Sequence, residues 1–169
     1  MPVPAEPVPG AVIAEAWGQQ VHEFTFAPAG CIVHGIGLTM LAANAYRDQD
    51  ISLADDDPGG YLDAANDRVE VPADGEGLYL IVMRASTLNG DAGDETGIVL
   101  RMNGTETARV QVGNEGTTRV AFSLTIVEML SAGDQISLRS RHIGGGSVAG
   151  VTLESLALVR LGYEMGAPS

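Results

Sequence analysis

RVEVPADGEGLYLIVMRAS, residues Arg68–Ser86, decides the fold. Arg68–Val71 alternates polar and apolar side chains and runs into Pro72, and Asp74–Gly77 follows as a Gly-rich turn. Leu78–Ala85 is then apolar on both faces, with Leu78, Leu80 and Val82 on one and Tyr79, Ile81 and Met83 on the other. A strand with one wet face alternates. This one reads as the buried centre of a sheet, with one face filling a core and the other covered by something else.

Outward from it the chain reads as short strands separated by Gly, Asn and Asp clusters, the spacing of an all-β sandwich. Ile98–Met102 and Thr105–Val112 flank Asn103–Gly104, the strongest short-range hairpin signal present. Arg119–Glu128 alternates with Val120, Phe122, Leu124 and Ile126 inward, and Ala132–Gly133–Asp134 turns it into Gln135–Arg141 as a second expected hairpin. Val151–Leu161 places Val151, Leu153, Ala157, Val159 and Leu161 on one face and Leu156 and Leu158 on the other, so a second strand has two apolar faces. Two such strands in one domain predict an oligomer that uses those faces, or a loop draped over them. Cys31–Leu41 and Asn44–Leu53 are irregular, and Asp55–Gly60 (DDDPGG) is a turn cluster.

The expected division is an N-terminal arm at 1–30, a domain at 31–163 and a tail at 164–169. Met1–Gly10, MPVPAEPVPG, carries four prolines and should be extended. Ala11–Phe24 aligns Ile13, Trp17, Gln20 and Phe24 as a short amphipathic helix, whereas Val21–Ala27 alternates well enough to be a strand. Trp17 needs a surface to lie on, either its own domain or a neighbour. Pro4, Pro7, Pro9, Val12, Ile13 and Trp17 are therefore the candidate docking residues. The form P-G-x-x-I-x-x-A-W-G-Q at Pro9–Gln20 resembles the starts of small virion proteins of tailed phages with actinobacterial hosts.

From Tyr61 to Leu161 the sequence resembles the tumour-necrosis-factor-like trimeric jelly roll, shared with the globular heads of complement and collagen-related proteins. Gly60–Tyr61–Leu62–Asp63 resembles the family's segment before its central strand, and Asp67–Pro72 its strand ending in proline. Gly77–Leu78–Tyr79 matches its G-L-Y signature, Asn103–Gly104 its short turn, and Leu130–Ile136 its L-x-A-G-D-x-V turn. Val148–Ala149–Gly150–Val151 departs from the family's final aromatic-Gly pair, and the proline arm stands where a collagen stalk would be. The resemblance implies an antiparallel jelly-roll sandwich assembled as a homotrimer. It places Tyr79, Ile81 and Met83 at the threefold axis and leaves Leu80 and Val82 to the core, while the second strand with two apolar faces adds Leu156 and Leu158 to the expected interface.

Composition narrows the partners. Acidic residues outnumber basic ones 22 to 9 for a net charge of −13, a field that repels phosphate backbones and anionic lipid, so neither nucleic acid nor a membrane is an expected partner. All nine basic residues are arginine. The single cysteine, Cys31, excludes an intrachain disulfide framework, and the first residues lack the basic and apolar blocks of a signal peptide, which points to synthesis in the cytoplasm.

Chemistry is thin. His22, His34 and His142 show no HxxxH, HxH or HExxH spacing, so no metal site is expected, and Cys31–x–x–His34 reads as structural. Asp55–Asp57, with Asp48, Asp50, Asp63 and Asp67 nearby, offers oxygen ligands of the calcium type, against the plainer reading of a solvated acidic turn, and Asp91–Glu95 is weighed alike. No nucleophile elbow or phosphate loop is present, so no enzyme and no cofactor are expected. The leading expectation is a non-enzymatic virion protein of a tailed phage, a homotrimer decorating or cementing the capsid through arms that dock on the major capsid protein or other virion subunits. The alternative is a tail or baseplate trimer binding a host-surface glycan through Tyr46, Tyr61 or Tyr163 and the outer loops. A secreted signalling ligand is a third reading, and it needs a secretion signal.

Overall fold

The computed structural model describes residues 29–88, 93–113, 119–144 and 149–162. The expected arm up to residue 28, its helix-or-strand alternatives and the C-terminal tail lie outside these residues, and Gly30, placed at the end of the arm, begins the first strand. The strands are β1 (Gly30–His34), β2 (Thr39–Leu41), β3 (Tyr46–Asp48), β4 (Leu53–Asp56), β5 (Leu62–Asp63) and β6 (Arg68–Glu70), then β7 (Gly77–Leu88), β8 (Glu95–Met102), β9 (Thr105–Gly113), β10 (Val120–Leu130), β11 (Gln135–Ile143) and β12 (Ala149–Gly162). A single 3₁₀ turn at Ala64–Asn66 joins β5 to β6.

All pairings are antiparallel and form two sheets. The first runs β10-β7-β12-β1-β4 with β2 on β12, and the second β5-β6-β11-β8-β9 with β3 on β11. The fold is an all-β jelly-roll sandwich. Asn103–Gly104 closes β8–β9 as expected: both residues have positive φ, 50° and 79°, and Met102 faces Thr105 across a two-residue loop whose twist matches the strands.

The second expected hairpin does not form. β10 pairs with β7 in the first sheet, while β11 pairs with β8, β6 and β3 in the second. The turn between them is therefore a crossover, held by Ser131 N–H donating to Asp134 Oδ2 (2.8 Å) and Val71 N–H donating to the Asp134 carbonyl (2.9 Å). The deciding stretch divides likewise. Its β6 part lies in the second sheet, and β7 lies in the first between β10 and β12.

Between the sheets lies one apolar core that includes Val33, Tyr61, Val69, Tyr79, Ile81, Met83, Leu100, Leu130, Ile136, Leu138, Leu156 and Leu158. Each fully buried aliphatic chain contributes about 1.5–3 kcal/mol. Towards the β11 C-terminus the interior turns polar. Gln49 donates to Ser140 Oγ, and His142 places Nε2 at 3.0 Å from Asp94 Oδ2 and Nδ1 at 3.1 Å from the Ala42 carbonyl.

Candidate functional site

The candidate site is the outer face of the first sheet, and it follows from the parity of β7. Tyr79, Ile81, Met83 and Ala85 are buried against the second sheet, so Leu78, Leu80, Val82 and Arg84 point away from it. Cross-strand register extends that face. Leu80 lies between Val127 of β10 and Val159 of β12, Val82 between Thr125 and Ala157, and Leu78 beside Met129. Ile32 of β1 stands next to Ala157. Val127, Met129, Leu161 and Ile32 are 52%, 42%, 43% and 39% exposed, large values for aliphatic side chains sharing one patch.

β10 forms the edge of this sheet, and its outward residues, Ala121, Ser123, Thr125, Val127 and Met129, carry no charge and no proline. Edges left open usually carry such blocking residues. Here an edge whose single charge, Glu128, points inward borders an apolar face.

The other half of the face is polar. Arg84 sits between Ser123 and Ser155 on the flanking strands and is exposed, with no carboxylate in ion-pair reach among the described residues. Arg119 differs: its Nε donates to Ser86 Oγ at 2.9 Å and its Nη2 to Glu154 Oε1 at 2.7 Å.

These placements correct the interface residues read from the sequence. Tyr79, Ile81, Met83, Leu156 and Leu158 are all within 1% of full burial inside a single chain and form the core, whereas Leu80 and Val82 lie on the outer face. Tyr79 cannot turn outward without loss, because its hydroxyl donates to the Gly75 carbonyl and pairs with the Tyr61 hydroxyl at 2.9 Å. Burial and the bond to Tyr61 hold the Tyr79 phenol well above its usual range. In β12 the expected parity breaks at a bulge between Leu153 and Ser155. Past the bulge Leu156 and Leu158 join Val151 and Leu153 inside, and Ala157 and Val159 turn out.

Elsewhere the side chains have local duties. Cys31 and His34 are three residues apart on a strand and so project to opposite faces; burial pushes the Cys31 thiol up to about 12, and His34 Nε2 lies 3.4 Å from Asp55 Oδ1. Asp57 caps the following turn, accepting from Tyr61 N–H (2.7 Å) and Leu62 N–H (3.0 Å). Among the described residues no group of three His, Cys, Asp or Glu side chains is arranged to hold a metal ion. The His142–Asp94 pair, separated by 48 positions, left no mark in the sequence; both ring nitrogens are engaged with oxygens and His142 is fully buried, so it ties strands together. Of the tyrosines considered as sugar platforms, Tyr61 is buried and Tyr46 is exposed beneath Arg141, whose guanidinium carbon is 5.4 Å from the ring centre; Tyr163 lies outside the described residues. The docking residues Pro4, Pro7, Pro9, Val12, Ile13 and Trp17 lie outside them too.

No family model matches the sequence, and no curated protein matches it. Solved structures do match in fold. Eiger TNF from S. frugiperda superposes with a TM-score of 0.57 at 17% identity, covering 84% of this chain and 98% of its own. The globular domain of zebrafish complement 1qA protein gives 0.55 at 13%, covering 81% and 99%, and murine APRIL gives 0.52 at 16%, covering 74% and 98%. At these identities the likeness is one of fold.

Proposed function

We propose that the protein is a non-enzymatic structural module that acts as a homotrimer, its copies packed through the outer face of the first sheet. The observation that carries this reading is the contiguous apolar patch of Leu78, Leu80, Val82, Val127, Met129 and Val159 beside the β10 edge, whose outward residues carry no charge. A second copy fits it, because an edge with no outward charge and a face without polar cover complete one another. The resemblance to a fold family that assembles in threes supports the number.

In the finer reading residues 1–30 attach this trimer to the virion of a tailed phage, decorating or cementing the capsid through the major capsid protein. Support comes from the likeness of Pro9–Gln20 to virion-protein starts and from the proline-rich composition of the arm. Three arms on one trimer bind as a multivalent unit, so modest single contacts add to a stable attachment. The second reading, a tail-associated trimer that binds a host glycan, has the exposed Tyr46 beneath Arg141 in its favour.

Light scattering on the full chain tests the assembly. A trimer is expected, and a monomer at micromolar concentration would remove the reading. Deleting residues 1–28 should leave the trimer intact and abolish incorporation into particles; normal incorporation would exclude the arm as the attachment.

A further inference from the structure

We propose that Asn103 is a site of spontaneous deamidation, and that Asp134 and Gln135 block the reaction for as long as the crossover turn is in place.

Asparagine is chemically labile, and a glycine after it favours cyclisation because no Cβ shields the attacking amide nitrogen. The Gly104 nitrogen bonds to Asn103 Cγ as its proton passes to solvent, the Cγ–Nδ2 bond breaks, and ammonia leaves with a proton from water. A second water then opens the cyclic imide to aspartate or isoaspartate. Asn103 and Gly104 are both exposed, so water reaches them and burial gives no protection. Geometry does. Asn103 Oδ1 accepts from Gln135 N–H at 2.9 Å and Nδ2 donates to Asp134 Oδ1 at 2.8 Å, so the carboxamide is held at both ends by the start of β11. The peptides on either side are fixed as well: Asn103 N–H donates to the Gln135 carbonyl at 2.9 Å, and Arg101 Nε to the Gly104 carbonyl at 3.0 Å. Attack requires the carboxamide to turn its carbon onto the Gly104 nitrogen, and a group bonded at both ends cannot turn without breaking those bonds. The clamp in turn depends on the crossover, since Asp134 also accepts Ser131 N–H through Oδ2 (2.8 Å) and Val71 N–H through its carbonyl (2.9 Å). Nor does the product fit. An aspartate puts a carboxylate oxygen where Nδ2 now meets Asp134 Oδ1, two like charges in contact, so a junction that opens long enough to react does not close as before.

Tryptic peptide mass spectrometry of the full-length protein, incubated in warm, mildly alkaline buffer with and without urea, tests this. Cleavage after Arg101 and Arg109 isolates Asn103 on its own peptide, and cleavage after Arg84 puts the other Asn–Gly pair of the chain, Asn89–Gly90, on a different one. Conversion of Asn103 should be at least about tenfold slower without urea than with it, the weight of two ordinary hydrogen bonds. Asp134→Ala, with folding checked by circular dichroism, should convert faster than wild type without urea. Tyr79→Phe, which weakens the core and leaves this turn intact, should convert at the wild-type rate. If Asp134→Ala does not fold, Asp134→Asn replaces it: the single side-chain oxygen can keep the Ser131 cap while the amide faces Asn103 Nδ2, and the same acceleration is expected. Equal rates with and without urea, or a folded Asp134 variant that converts as slowly as wild type, overturn the proposal. Equal acceleration by Tyr79→Phe assigns the protection to folding as a whole and overturns it too.

Discussion

Aspartate placed at Tyr79 and at Leu80, one residue apart, should separate folding from assembly. Tyr79 is fully buried, its ring edge-on to Tyr61 with centroids 6.3 Å apart, and its hydroxyl lies between the Tyr61 hydroxyl and the Gly75 carbonyl. Removing the ring costs about 3–5 kcal/mol. Burying an unpaired carboxylate there adds about 3–5 kcal/mol. The sum is comparable to the whole stability of a domain, about 5–15 kcal/mol, so Tyr79→Asp should not fold. Tyr79→Phe keeps the ring and strands two buried oxygens, a loss of about 1–3 kcal/mol, and each kcal/mol lowers the melting temperature by about 2–4 °C in a chain of this size. It should remain folded and assembled. Leu80 is half-buried in the single chain and points outward, so Leu80→Asp should cost the monomer about 1 kcal/mol and break the assembly, where the same carboxylate becomes enclosed. Circular dichroism melts paired with light scattering read both quantities. A Tyr79→Asp protein that melts like wild type, with a Leu80→Asp protein that stays oligomeric, would show that the two faces have been exchanged.

The remaining tests concern single sites. Cys31, its thiol raised to about 12 by burial, should resist alkylation by iodoacetamide in the native protein at mildly alkaline pH and react promptly in guanidinium; rapid native labelling would place it at the surface. A methyl group on Gly97 lands on the Val110 carbonyl oxygen across the β8–β9 ladder, so Gly97→Ala should lose about 1–3 kcal/mol in urea unfolding, and an unchanged midpoint would contradict that close approach. Asp57→Ala leaves the Tyr61 and Leu62 amides without their acceptor and should cost about 1–2 kcal/mol by the same measurement, more than an ordinary surface substitution. The hydrogen bond from Arg139 lowers the Asp48 carboxyl below its ordinary value, so its stabilisation is present above the unfolded value of about 3.9 and is lost as pH falls through the lower folded one. Asp48 is largely exposed, which limits the effect to less than about 1 kcal/mol; an Asp48→Asn protein with a much flatter acid unfolding curve would show a larger role.

Some of this molecule was legible in the chain because it depends on local chemistry. Asn103–Gly104 dictates a two-residue hairpin through its own backbone preferences, and the alternation of Val120–Ile126 fixes which residues of β10 go inward because its two faces differ in polarity. Where both faces are apolar, alternation carries no sign. Leu78–Ala85 tells equally of Tyr79 inside or outside, and only the second sheet, meeting Tyr79 with the Tyr61 hydroxyl, decides between them. Ala132–Asp134 reads as a turn but does not say whether the next strand folds back beside β10 or crosses to the other sheet, since that rests on Val71, some sixty residues earlier, donating to Asp134. The bulge at Leu153–Ser155 reverses the parity of half a strand, and it is visible only in the register against β7. The sequence by itself determined that there would be strands, a sandwich and more apolar surface than one core can take in. Tertiary pairing decided which surface that is, because a period of two is symmetric between faces and only a contact from a distant strand breaks the symmetry.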